Sequence, residues 1–261
     1  MNTVKFELYR AFHSRPFVIS LLLGSVICAL DLITFYIMVG QGRYLVQAWI
    51  GTDYLFVYNQ MFYYLLPLLA CLPYGGSLYT DIKNGYDKNI CVKASRLNFV
   101  FAKGISVFLS GFVSVCLPLV MNMFIAAGMY SNYIPERLLF DSIGLQNTYM
   151  FSLIYSNHPA LYCLVYILVD GLFAGAISLT SLSLTVKVKS SFTAIVTPMV
   201  MLLMFDIFVG VKDFGNWSVI AMLNPRQYMH TYWYQLLIVF LVIFAVNVMV
   251  IILTARKRDI L

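Results

Sequence analysis

The chain has 261 residues, 61% of them hydrophobic and 11% charged, where an average soluble domain is about 25% charged. With a mean hydropathy of +0.84, one water-soluble core could take in only part of the apolar side chains, and the rest would form aggregating patches. A soluble globular protein is excluded. The net charge of +6 is therefore read against membrane topology and not as a nucleic-acid footprint.

In chain order, residues 1–16 place Val4, Leu8, Ala11 and Phe12 on one side of a helix, with Lys5, Glu7, Arg10 and His13 elsewhere around it. Such a segment is expected to lie in the inner interface with its basic residues toward anionic headgroups. Pro16 marks the turn into the first span. A helix crossing about 30 Å of hydrocarbon needs about 20 apolar residues, because every backbone polar group must be satisfied within it. Six stretches qualify, at about 17–40, 57–79, 101–128, 160–185, 192–211 and 235–254. The fold class expected is an all-α integral membrane protein forming a single permease-like domain. The first apolar run is too long for a secretory signal and stays attached.

Basic residues decide the orientation. With the N-terminus inside, the inner face holds Lys5, Arg10, Arg15, Lys83, Lys88, Lys93, Arg96, Lys103, Lys187, Lys189, Arg256, Lys257 and Arg258. The outer face holds Arg43, Arg137, Lys212 and Arg226. Both termini are expected in the cytoplasm. Tyr58, Phe62, Tyr63 and Tyr64, and Tyr228, Tyr232, Trp233 and Tyr234, cluster at the outer starts of spans two and six, a depth that suits amphipathic rings.

No lysine follows a glycine, which excludes the phosphate-binding loop an ATPase requires. His13, His158 and His230 lie outside the spans and form no metal-ligating pair at helical spacing. The five cysteines, Cys28, Cys71, Cys91, Cys116 and Cys163, are widely spaced and mostly within apolar runs, a pattern of neither a disulfide framework nor a zinc site. No catalytic residue, metal site or cofactor is expected in this chain. Leu109-Ser110-Gly111-Phe112 and the Gly171/Gly175 pair read as small-residue helix packing.

The inner loop at 81–97 carries the most information. Tyr86, Ile90 and Lys93 or Ala94 share a helical face, Asp87 and Lys88 lie beside it, and Gly85 can release the chain from the preceding helix. A short surface helix is expected, held to lipid by its basic rim or docked in a partner's groove. The order of N-terminal amphipathic segment, six spans, and an inner loop running from Asp81 through Asn84-Gly85 and a Lys-rich stretch to Ser95-Arg96 before Lys103 resembles the permease subunits of ABC-2 type transporters. The resemblance implies that residues 1–16 are an elbow helix. It implies also that Gly85, Tyr86, Asp87, Lys88, Ile90, Lys93 and Arg96 belong to a coupling helix contacting a separate ATPase. The partners it implies are two ATPase subunits, which would bind ATP and Mg, and a second permease chain, identical or similar. It implies export or membrane extraction, with peptide or amphipathic antimicrobial substrates the subclass favoured by size, in a plasma membrane of bacterial type. It also implies re-entrant helices before the last span, a role that 212–234 is apolar enough to fill. The rival readings are a secondary carrier or substrate-binding membrane component, and a membrane enzyme or an immunity or sensor scaffold.

Asp31, Asp170 and Asp206 fall within spans one, four and five. Each costs roughly 2.5–3.5 kcal/mol at the centre of a bilayer helix, so they are expected to face protein or a water-filled path. A pathway for cationic substrates and simple bonding to neighbouring Ser, Thr and Asn are both consistent with that. Pro67 and Pro73, with Gly75 and Gly76, and Pro198 are expected to bend spans two and five.

Overall fold

The computed structural model describes residues 3–39, 44–50, 57–86, 95–131, 150–185, 188, 190–212, 214–227 and 229–257. Among them the regular structure is helical: α1 (Thr3–Phe12), α2 (Arg15–Val39), α3 (Leu45–Ile50), α4 (Val57–Cys71), α5 (Ser77–Lys83), α6 (Arg96–Met129), α7 (Ser152–Asn157), α8 (Pro159–Leu184), α9 (Ser191–Val211), α10 (Val219–Leu223) and α11 (Trp233–Lys257). A 3₁₀ turn covers Gly215–Trp217. Starts are set by local chemistry. The Ser95, Ser190 and Ser218 hydroxyls accept from the amides of Asn98, Thr193 and Ala221 at the starts of α6, α9 and α10, and Pro159 opens α8.

Among the described residues, five helices are long and apolar enough to cross a membrane: α2, α6, α8, α9 and α11. The expected span at 57–79 is not among them, because it is interrupted. α4 stops at Cys71, residues 72–76 turn, and α5 begins at Ser77. Proline explains the break, since Pro73 has no N–H to offer the Leu69 carbonyl four residues back. That carbonyl is taken instead by the Ser20 hydroxyl of α2 at 2.7 Å and the Ser114 hydroxyl of α6 at 3.1 Å. Ser14 donates to the Pro73 carbonyl at 3.1 Å. Pro67 and Pro198, by contrast, lie inside continuous helices, as does Pro118 of α6.

α8 is the axis of the bundle, packed against α4, α6, α9 and α11. Its small residues admit α6 closely. A Cβ on Gly171 would stand 2.2 Å from Cys116 Sγ, and one on Gly175 2.7 Å from a Phe108 ring carbon, so this pair packs within the chain. Gly111 meets Ser178 and the Ala70 carbonyl in the same way. At one end of the bundle, Ala11, Tyr74, Leu78, Phe99, Leu182 and Ile251 pack together; we call this the α1 end. At the other, Leu32, Phe35, Leu45, Ala48, Ala126 and Tyr130 do so; this is the α10 end. α9 and α11 bury little of themselves and expose Met201, Met204, Ile207, Phe208, Leu241, Val242 and Met249. Such faces suit hydrocarbon and not water.

Candidate functional site

Four charged side chains converge at the α1 end. Lys103, about two turns into α6, is fully buried, and its Nζ donates to Glu7 Oε2 of α1 at 2.9 Å and to Asp81 Oδ2 of α5. Arg10 holds Asp81 with both terminal nitrogens, at 2.9 and 3.3 Å, and reaches Glu7 Oε1 at 3.2 Å. The Tyr74 hydroxyl, in the turn after α4, donates to Glu7 Oε2 at 2.7 Å. Two anions meet two cations, so the knot is neutral as a whole, and it ties α1, the 72–76 turn, α5 and α6 to one point. Burial works against the Arg10 charge, but the hydrogen bonds from Arg10 to Asp81 and the nearby Tyr74, Asp81 and Glu7 outweigh it and hold its pKa above the ordinary arginine value.

Within residues 1–16 the expected face of Val4, Leu8, Ala11 and Phe12 is the more buried one, with Lys5 and His13 exposed, and the departure from expectation is at Glu7 and Arg10. Glu7 is 1% exposed, and Arg10 turns toward Asp81, while Phe6 and Tyr9 are exposed. A carboxylate with two cations and a phenol in reach can be buried beside the apolar face that helical spacing assigns. Lys103, counted by its position as an orientation charge, is instead an interior one. Gly85 follows α5 with φ +70°, and a Cβ there would meet nothing within 4 Å. Tyr86 lies beneath the Arg10 guanidinium, 4.7 Å from ring centroid to Cζ. The knot thus sits at the root of the 81–97 loop. Asp87, Lys88, Ile90 and Lys93 lie outside the described residues, and Arg96 opens α6 with its side chain likewise outside them.

At the α10 end a second polar network surrounds α10, whose five residues are all buried. Ser218 donates to Asp206 of α9. The Asn224 amide donates to Asn59 Oδ1 of α4 at 3.0 Å, and Tyr162 of α8 donates to the Pro225 carbonyl at 2.6 Å. Gln227, at φ +48°, accepts from the Met150 amide at 3.0 Å, and its Nε2 stands 2.7 Å from the Met150 carbonyl and 3.0 and 2.7 Å from the Tyr162 and Tyr166 hydroxyls. Below this segment the buried Tyr63 donates to Asp170 Oδ2 at 3.1 Å, and no donor among the described residues reaches Asp170 Oδ1. Phe62 and Tyr63 are core side chains at 3% exposure, correcting their reading as interfacial aromatics. Tyr232, Trp233 and Tyr234 are exposed.

The three intramembrane acids do not meet. Asp31 shares a small cavity with Tyr58 and Asn59 of the first turn of α4, Asp170 sits in the core on Tyr63, and Asp206 holds Ser218. Among the described residues, no group of three or more His, Cys, Asp or Glu side chains is placed to hold a metal ion. Family models, curated proteins and solved structures give no match to this chain.

Proposed function

We propose that the chain is the membrane-spanning permease subunit of an ATP-driven exporter of the ABC-2 type, energised by a separate ATPase. In this reading residues 57–83 form a sixth, broken crossing, both termini are cytoplasmic, and the α1 end faces the ATPase. The observation that carries the proposal is the Glu7–Arg10–Asp81–Lys103 knot. A bundle that only had to sit in lipid would be as stable with apolar residues there, since replacing a buried ion cluster by hydrophobic packing is often neutral or stabilising. A relay has a use for it. Movement imposed on the loop that starts at Tyr86 reaches α1, α5 and α6 together because all three share the same charges. The working unit would be two permease chains on two ATPase subunits, with ATP and Mg held by the latter.

The test is co-expression with a cassette ATPase and purification through a tag on this chain. The proposal expects a stable complex that hydrolyses ATP, no hydrolysis by this chain alone, and transport lost with hydrolysis retained when Tyr86, Ile90 and Lys93 are replaced together. Transport that runs on an ion gradient in ATP-free vesicles would overturn it in favour of a secondary carrier.

A further inference from the structure

An apolar groove of about 440 Å³ runs between α6 and α11 in the half of the bundle nearer the α1 end. Val100, Gly104 and Phe108 of α6 form one wall, Phe244 and Ile251 of α11 the other, and the buried Leu179 of α8 lies at its floor. Among the described residues no polar side chain lines it. The Phe108 and Phe244 rings meet edge to face, 6.2 Å between centroids, and bridge the two walls at the deeper end. At a rise of about 1.5 Å per residue, the stretch from Val100 to Leu109 makes the groove about 14 Å long, the depth of one leaflet of a hydrocarbon core about 30 Å thick. Its other end coincides with the edge of apolarity on both walls, since the membrane-crossing stretch of α6 starts at Leu97 and that of α11 ends at Leu253. Gly104 keeps the groove open. A Cβ there would stand at ordinary contact, 3.9 and 4.0 Å from Leu182 and Leu179, whereas one on Gly111, Gly171 or Gly175 would clash with a neighbouring helix. A mid-helix glycine weakens a helix relative to alanine, and the close packing that accounts for the other three does not account for this one.

We propose that this groove seats one acyl chain of an anionic phospholipid in the leaflet on the α1 side. An uninterrupted apolar lining one leaflet deep suits a hydrocarbon chain and offers no hydrogen-bond partner to a polar ligand. The sign of the headgroup follows from the sequence where the groove reaches the membrane surface. Arg96 opens α6 one residue before Leu97, and Arg256, Lys257 and Arg258 follow Leu253 against the single acid Asp259. Basic residues just beyond the apolar ends of membrane helices attract anionic lipid. Glu7 and Asp81, the acids of the knot at this end, are already paired with Lys103 and Arg10 and leave that positive charge unopposed. The inference stands apart from the permease reading: it needs only that α6 and α11 cross a membrane, and no outcome below bears on the ATPase partnership.

The experiment is native mass spectrometry of the purified full chain in detergent after incubation with equimolar dioleoyl phosphatidylglycerol and dioleoyl phosphatidylcholine, which share their chains and differ in headgroup charge. The expected result is a retained phosphatidylglycerol favoured over phosphatidylcholine by at least about fivefold, the selectivity that one basic residue at the surface supplies. Gly104→Leu fills the groove and should lower that retention by at least about fivefold, through the methylene contacts it displaces. Arg256→Gln with Lys257→Gln leaves the groove intact and should bring the two lipids close to parity. Equal retention of both lipids by the wild-type chain, or phosphatidylglycerol binding undiminished in Gly104→Leu, would overturn the proposal. So would a lipid-free dimer that dissociates in Gly104→Leu, which would assign the groove to a second copy of the chain. The wild-type comparison and the surface double variant decide the matter even if Gly104→Leu does not fold.

Discussion

Replacing Lys103 by methionine is the sharpest test of the knot. The substitution keeps the length and apolar stem of the side chain and removes one positive charge from a place with no exposure. Glu7 and Asp81 are then left at 1% and 5% side-chain exposure with Arg10 as the one remaining cation. Breaking a buried ion pair by removing one partner costs about 3–5 kcal/mol, and a chain of this size loses about 2–4 °C per kcal/mol, so Tm is expected to fall by about 6–20 °C. The loss is electrostatic and should therefore be repaired by charge balance. Adding Glu7→Gln to Lys103→Met leaves one anion and one cation and should recover at least about half of the fall. Arg10→Ala should cost about 1–2 kcal/mol, because its side chain is 32% exposed and solvent screens what it leaves behind. Melting followed by intrinsic fluorescence at a single scan rate measures all three, together with Glu7→Gln alone. A Lys103→Met protein within about 0.5 kcal/mol of wild type, or a double variant showing the sum of the single losses, would refute the reasoning.

Gly175→Ala forces a Cβ to within 2.7 Å of Phe108 and should cost about 1–3 kcal/mol by overpacking, read as a lower Tm; Gly128→Ala, with nothing within 4 Å, is the control and should be neutral or stabilising by up to about 1 kcal/mol. Tyr63→Phe deprives the buried Asp170 side chain of the one donor that reaches it among the described residues and should cost about 1–3 kcal/mol, with most of that loss absent when Asp170→Asn is already in place; a double-mutant cycle in Tm decides it. Gln227→Leu removes the amide that ties Met150, Tyr162 and Tyr166 to the segment after α10. A cysteine placed at the fully buried Met222 should then react with a water-soluble maleimide at least about tenfold faster than in the parent.

The long helices could be read from the sequence because twenty consecutive apolar residues have few other stable uses, and α2, α6, α8, α9 and α11 start and end close to where apolarity rises and falls. Pro73 with Gly75 and Gly76 signalled a disturbance in span two. That it would be a full break was not legible, because the Ser20 and Ser114 hydroxyls that make it tolerable come from other helices. Close approach at Gly171 and Gly175 was legible, and its partner α6 was not. The knot was hidden most thoroughly. The Glu7/Arg10 pair, Asp81 and Lys103 come from three separate parts of the sequence, and each charge has an adequate local explanation at a membrane surface. Lys103 within Phe99-Val100-Phe101-Ala102-Lys103-Gly104-Ile105 offered the one clue, a cation flanked by apolar residues on both sides.

The borrowed hydroxyls at Leu69 carry a consequence for biogenesis. A segment whose ladder is completed by other helices is not a finished unit when it leaves the ribosome. Residues 57–83 find one donor in α2, already made, but the second arrives only with Ser114, 31 residues beyond Lys83. Until then an acceptor of the broken stretch depends on α2 and on water. If residues 57–83 form the sixth crossing proposed above, insertion of this part of the chain is a joint event, in which three hydrophobic segments leave the aqueous phase as a group and not in single file.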